Sequence, residues 1–157
     1  MAETNSDLLI VNYPDPGYGI TDSHNRIRTK GLSTCIAIGG ITQDRLFIAH
    51  KPDYDHSGQI AALKRMGLEY SEGEMIVFAR SPRTMRTGLY KVAPDGGIPM
   101  NYGDSITALT ANLENHFPNF SVRTLFYADS KYPPHWSFAE IDRRGRVART
   151  DSGSIKL

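Results

Sequence analysis

The sequence predicts an α+β domain, a β-sandwich flanked by two main helices, on three observations. Short apolar runs bounded by Gly, Pro, Asn and Asp outnumber the stretches of helical period. Strands and helices do not alternate strictly, as a doubly wound parallel sheet would require. The chain of 157 residues, 39% apolar and 22% charged, has the length and composition of one domain with a substantial core. That domain is expected over residues 8–157, preceded by a loose polar tail at 1–7.

Leu8-Leu9-Ile10-Val11 reads as the first strand and runs into a turn rich in Pro14, Pro16 and Gly17. Further strands are expected near 25–30, 34–41, 45–50, 74–79, 121–128 and 136–142. Alternation in Arg26-Ile27-Arg28-Thr29 suits a strand with one wet face. Cys35-Ile36-Ala37-Ile38 is apolar on both faces and suits a covered, central strand. Ile60, Leu63 and Met66 recur every three residues, predicting a helix over 57–66 that Gly67 terminates. Ile106, Leu109 and Leu113 form the stripe of a second helix over 104–116, with Asp104 or Ser105 as N-cap and Pro118 beyond its end. Residues 80–103, rich in Gly, Pro and Arg, read as loop with one short strand at 88–92. Asp142-Arg143-Arg144-Gly145-Arg146 carries the turn chemistry of a hairpin.

Charge and composition exclude several classes of function. A formal charge of +1 gives no global attraction to nucleic acid or to an anionic membrane. No apolar run approaches the roughly 20 residues of a membrane-spanning helix, so no membrane partner is expected. The polar start, Met1 to Asp7, lacks the basic and apolar regions of a signal peptide. A single cysteine excludes an internal disulfide and a thiolate zinc site made by this chain alone. The expected setting is a reducing cytoplasm, or a host cell reached without a classical signal peptide, and the expected state is a monomer.

The chemistry-bearing region runs from Arg28 to His50. Cys35 follows the polar turn Gly31-Leu32-Ser33-Thr34 and opens an apolar strand. Backbone N–H groups around Ser33, Thr34 and Cys35 are placed to face a ligand, as an oxyanion hole requires. After a turn near Gly39–Asp44 the chain returns through Leu46–Ala49 and delivers His50. An antiparallel pairing of 35–40 with 45–50 brings Cys35 and His50 together. An adjacent imidazole is expected to lower the thiol pKa and raise the thiolate fraction. The imidazole needs a third group on its other nitrogen, and Thr29 is the candidate, through its hydroxyl or its carbonyl.

These residues carry a resemblance. Gly31-Leu32-Ser33-Thr34-Cys35, with Thr29 six positions before the cysteine and His50 fifteen after it, resembles the Leu-Ser-Gly-Cys segment of toxin-type protein-glutamine deamidases, the cytotoxic necrotizing factors and the Burkholderia lethal factor. It is also similar to the Gly-Leu-Gly-Ser-Cys segment of the chemoreceptor glutamine deamidase. Thr34 stands where those families have glycine or serine, and the glycine-rich segments that follow in the chemotaxis enzyme are missing. The resemblance covers about 25 residues. It implies a β-sandwich in which Cys35 is the nucleophile, His50 the acid and base, and Thr29 the group that orients His50. It further implies a target protein that presents a glutamine, conversion of that glutamine to glutamate through a thioester, and no metal or organic cofactor.

Two other patterns compete. His50, Asp53 and His56 are a possible metal-ligand set, although Pro52 and the polar alternation around it read as a loop leading into a helix capped by Asp55. Arg80, Arg83 and Arg86 with Lys91, and Arg143, Arg144, Arg146 and Arg149, form two basic clusters. They read as solvated faces or, in the alternative to an enzyme, as a non-catalytic module that binds nucleic acid or an acidic protein surface. No recognised nucleic-acid motif accompanies them. Trp136, Tyr127, Tyr132 and Phe138 read as core and rim.

Overall fold

The computed structural model describes residues 7–85, 90–130 and 137–157. In chain order the strands are β1 (Leu8–Val11), β2 (Tyr18–Thr21), β3 (Arg26–Leu32), β4 (Ile36–Thr42), β5 (Leu46–Lys51), β6 (Gly73–Arg80), β7 (Lys91–Val92), β8 (Met100–Asn101), β9 (Phe120–Tyr127), β10 (Ser137–Asp142), β11 (Val147–Thr150) and β12 (Gly153–Lys156). Two helices, α1 (His56–Arg65) and α2 (Tyr102–His116), complete the architecture with three short 3-10 turns.

Ten strands form two five-stranded sheets, ordered β1-β3-β10-β11-β12 and β2-β5-β4-β6-β9, while β7 and β8 pair separately. Pairing is antiparallel except for β1 with β3 and β6 with β9. The α+β sandwich with two main helices is therefore the observed architecture. Strict alternation explains how the second sheet is covered twice. Ala37, Ile41, Leu46, Ile48, Ile76 and Phe78 face the first sheet, against Val11, Ile27 and Ile141. Ile36, Ile38, Phe47, Ala49, Met75 and Val77 face the other way, against Leu63 of α1 and Leu109 and Leu113 of α2. All seven residues of β4 are buried, which is why its sequence reads as an unbroken apolar run.

Both helices follow the apolar stripes that predict them. Asp55 caps α1, accepting from the Gly58 N–H at 3.0 Å. The cap of α2 is Asn101, not Asp104 or Ser105: its side chain accepts from the Asp104 N–H at 2.8 Å. The helix starts earlier because Tyr102, 1% exposed, buries its ring in the core and sends its hydroxyl to the Arg80 carbonyl. Asp7, expected in the loose tail, is tied down by Asn25, Arg26 and Arg144. Of the strand predicted over 88–92, the described part is Lys91–Val92, and residues 88–89, like Arg86, Tyr132 and Trp136, lie outside the described residues. The hairpin at 142–146 joins β10 to β11. Strands β2, β8 and β12 have no counterpart among the sequence expectations, and β11 is implied only as the returning strand of the 142–146 hairpin. Among the described residues no helix is long and apolar enough to cross a membrane.

Candidate active site

The β4–β5 ladder sets Ala37 opposite His50. Cys35 lies two residues before Ala37, so the thiol and the imidazole occupy diagonal positions on the face turned toward the first sheet. Thr29 enters from that first sheet: β3 carries it inward, fully buried, between Val11 of β1 and Ala139 of β10. Thr29 thus reaches His50 across the sandwich from the opposite layer, while among the described residues no hydrogen bond joins Cys35 to His50 Nε2.

Thr29 Oγ1 lies 2.9 Å from the Val11 carbonyl oxygen and 2.9 Å from His50 Nδ1. A hydroxyl has one proton, and a carbonyl can only accept, so that proton goes to Val11. His50 must then donate Nδ1–H to the hydroxyl, which leaves Nε2 as an unprotonated acceptor. His50 is 1% exposed and its Nε2 is buried without a hydrogen-bond partner among the described residues. Such an orphan costs stability and calls for an explanation, as do Gln59 Oε1, Arg143 Nε and Asp151 Oδ1 elsewhere among the described residues. The ring is held in two further ways. Tyr13 stacks on it with centroids 4.2 Å apart and planes 13° from parallel, and the His50 backbone N–H donates to the Gly17 carbonyl at 2.7 Å. Gly17 adopts φ of 76°, where a Cβ would also crowd the Pro14 carbonyl at 3.1 Å.

Cys35 is half-buried and rests against the inter-sheet core. Its carbonyl accepts from the Tyr127 hydroxyl at 2.6 Å, and the Ser33 carbonyl accepts from Arg80 Nη1 at 3.2 Å. Both bonds fix the turn before β4. Neither Ser33, Thr34 nor Cys35 gives its backbone N–H to a carbonyl in the described turn and loop hydrogen bonds. Ser33 is exposed and Thr34 half-buried, so this turn opens outward.

The electrostatics differ from the expectation of an imidazole that lowers the thiol pKa. Burial, with the Asp53 carboxylate second, pushes the Cys35 thiol up to about 11. Burial pulls His50 down to about 4. The resting pair is therefore a neutral thiol and a neutral imidazole, because desolvation disfavours both charged forms. Sequence spacing carries no information about depth, and depth decides this.

Sequence reasoning missed three contributors. Tyr13 and the Val11 carbonyl come from the segment before β2, and nothing in the spacing links them to His50. Asp53, seen only as a metal-ligand type, is 5% exposed and accepts from the Tyr90 hydroxyl at 2.5 Å. The set His50, Asp53, His56 does not converge: His50 goes to Thr29, Asp53 to Tyr90, and His56 Nε2 pairs with Ser105 Oγ at 3.1 Å. Among the described residues no three His, Cys, Asp or Glu side chains are placed to hold a metal. A cavity of about 290 Å³ is lined by Ile10, Val11, Asn12, Tyr13, Lys30 and Gly31; of these Val11 touches Thr29 and Tyr13 stacks on His50, but Thr29, Cys35 and His50 do not line it.

The second basic cluster is largely engaged by its own chain. Arg143 donates to the carbonyls of Asp44, Thr21 and His24. Arg144 meets Asp7, Arg146 meets Glu74, and Arg149 bridges Glu140 and Asp142. In the first cluster Arg80 is spent on Ser33 and Thr84, and Arg83 lies 3.7 Å from Asp129. Tyr127 is core, and Phe138 lies under the Arg28 guanidinium at 5.1 Å. No protein-family model matches the chain, and no curated protein sequence matches it.

Proposed function

We propose that this protein is a cysteine-dependent amide hydrolase whose substrate is the side-chain carboxamide of glutamine on a target protein. The observation that carries the reading is the tautomer of His50: a buried imidazole, locked by Thr29, with an unpartnered acceptor nitrogen on the face shared with Cys35. Most buried polar side-chain atoms of a purely structural kind find a partner, which supports a chemical use for this nitrogen.

In the proposed reaction the Cys35 sulfur attacks the carboxamide carbon while His50 Nε2 removes the thiol proton, the general-base route open to a neutral pair. The backbone N–H groups of the Ser33–Cys35 turn are the donors for the developing oxyanion. The C–N bond breaks as Nε2 returns the proton to the leaving nitrogen, and ammonia departs. Water, deprotonated by His50, then cleaves the thioester, restoring the thiol and leaving glutamate. Thr29 accepts from the Nδ1–H at every stage and stabilises the transient imidazolium. The chemistry calls on no cofactor.

The internal pairing of the Arg143–Arg149 cluster argues against a nucleic-acid-binding module, which needs cations free to replace counterions. The test is mass spectrometry of a lysate treated with wild type or Cys35→Ala. Glutamine-to-glutamate conversion (about 1 Da per site) with the wild type alone supports the reading, and its absence across the detectable proteome, with no ammonia released, overturns it.

A further inference from the structure

Asp53 is a buried carboxylate that neither the tautomer of His50 nor the oxyanion turn accounts for. It sits three residues beyond His50, 5% exposed, where the chain leaves β5 for α1. Burying a carboxylate is expensive unless its charge is compensated, and no cation pairs with it among the described residues. Its hydrogen-bond partner is a neutral hydroxyl: Tyr90 donates to Oδ2 at 2.5 Å. The same Tyr90 hydroxyl comes within hydrogen-bonding reach of Thr34, the residue before the nucleophile. One hydroxyl therefore separates the carboxylate from the turn that carries Cys35, and the two are close enough for Asp53 to oppose ionisation of the thiol.

A group that raises the cost of making the nucleophile is explained if it selects what the nucleophile meets. We propose that Asp53 is the specificity-determining residue of the site: its carboxylate accepts an N–H of an incoming primary carboxamide and rejects carboxylates. This deepens the amide-hydrolase reading and rests on it. A carboxamide offers two N–H donors, whereas a carboxylate offers none and carries a like charge. The distinction matters at both ends of the reaction. The substrate amide is oriented with its nitrogen toward Asp53 and its oxygen toward the Ser33–Cys35 turn. When the thioester is hydrolysed, the product carries a new carboxylate, which Asp53 repels. Tyr90 holds the carboxylate in place through Oδ2, and in this proposal Oδ1 is the acceptor that meets the substrate N–H.

The test uses the chain's single cysteine, so that alkylation reports on Cys35 alone. Iodoacetamide and iodoacetate deliver nearly the same atoms to a thiol, one as a carboxamide and one as a carboxylate. The full-length protein is alkylated with each at the same pH, and the ratio of rates is divided by that of 2-mercaptoethanol. Coulomb repulsion over a few ångströms at a partly buried site predicts a normalised preference for iodoacetamide of at least about ten-fold. In Asp53→Asn the preference should fall to within about two-fold of the free thiol, because the charge that produces it is gone. A normalised ratio near one in the wild type overturns the proposal, as does an undiminished preference in a folded Asp53→Asn. If Asp53→Asn does not fold, judged by circular dichroism, the wild-type ratio alone decides. The parent reading is judged separately by ammonia release from glutamine-containing proteins. Asp53-dependent selectivity without ammonia release retains this selectivity and removes the deamidation.

Discussion

A neutral imidazole has one donor and one acceptor, and at His50 a single hydroxyl decides which nitrogen is which. Removing that hydroxyl while keeping its volume separates orientation from packing. Thr29→Val leaves the Val11 carbonyl and Nδ1–H without their partner, which should cost about 1–3 kcal/mol of stability. Turnover should fall by roughly 10- to 100-fold, the scale expected for a group that orients a ligand or base. Thr29→Ser should restore both stability and rate. Unchanged ammonia release in a folded Thr29→Val would show that the hydroxyl has no part in orienting His50. The thiol gives an independent residue-scale prediction. With Cys35 pushed up to about 11, its iodoacetamide alkylation rate should still be climbing at pH 9 and should level only near that value. A rate that levels below pH 7 would instead reveal a thiolate–imidazolium pair.

At the scale of elements, the β4–β5 hairpin and the two helices were legible because each has a periodic signal that one layer of contacts produces. The continuous run Ile36-Ala37-Ile38 required cover on both faces, and the structure supplies it. Strands β11 and β12 were not legible. β12 is the edge strand and β11 lies between it and β10; Arg149, Ser152, Gly153 and Ser154 interrupt any apolar alternation, and the two strands are held by pairing to β10 and to each other. In β2, Tyr18-Gly19-Ile20-Thr21 is too short and too mixed to stand out beside the Pro–Gly turn that precedes it. The candidate pair Cys35–His50 could be read from hairpin spacing because the ladder is local. Tyr13, Val11 and Asp53 could not, since their positions follow from how separate segments close over the pair. Within β4, Gly40 shows how tightly this element is built. A Cβ there would overlap the Glu74 carbonyl oxygen of β6 and come within 2.7 Å of the Phe47 ring. Gly40→Ala should therefore lower stability by about 2–3 kcal/mol, an overpacking penalty, read as a reduced urea midpoint with little change in slope. A midpoint equal to that of the wild type would mean that β4 and β6 can separate without loss.

At the scale of the whole molecule, the site ties the two sheets together, because the Thr29–His50 bond spans the inter-sheet core. That makes the protonation of one side chain a property of the fold. In the unfolded chain His50 takes up a proton as pH falls through its ordinary value of 6.5, whereas in the native sandwich burial delays this to about 4. Between those values the unfolded state binds more protons, so stability falls as pH falls. The stabilisation of neutral His50 is fully present above 6.5 and is lost on descending to about 4, a difference of roughly 3 kcal/mol. His56, which burial also lowers, acts in the same direction. The thiol sets the opposite limb. Cys35 is raised from 9.0 to about 11, so its contribution is complete below 9 and is lost as pH rises toward 11. Urea denaturation across pH 4–11 should therefore show a plateau from about 6.5 to 9 with losses on both sides. The acid limb is assigned by His50→Asn, which is less stable at every pH but lacks this titration. The gap between wild type and variant should narrow by roughly 3 kcal/mol on going from pH 7 to pH 4. A gap that stays constant over that range would mean that His50 titrates normally in the native protein, and the locked, neutral imidazole on which the proposed chemistry depends would have to be abandoned.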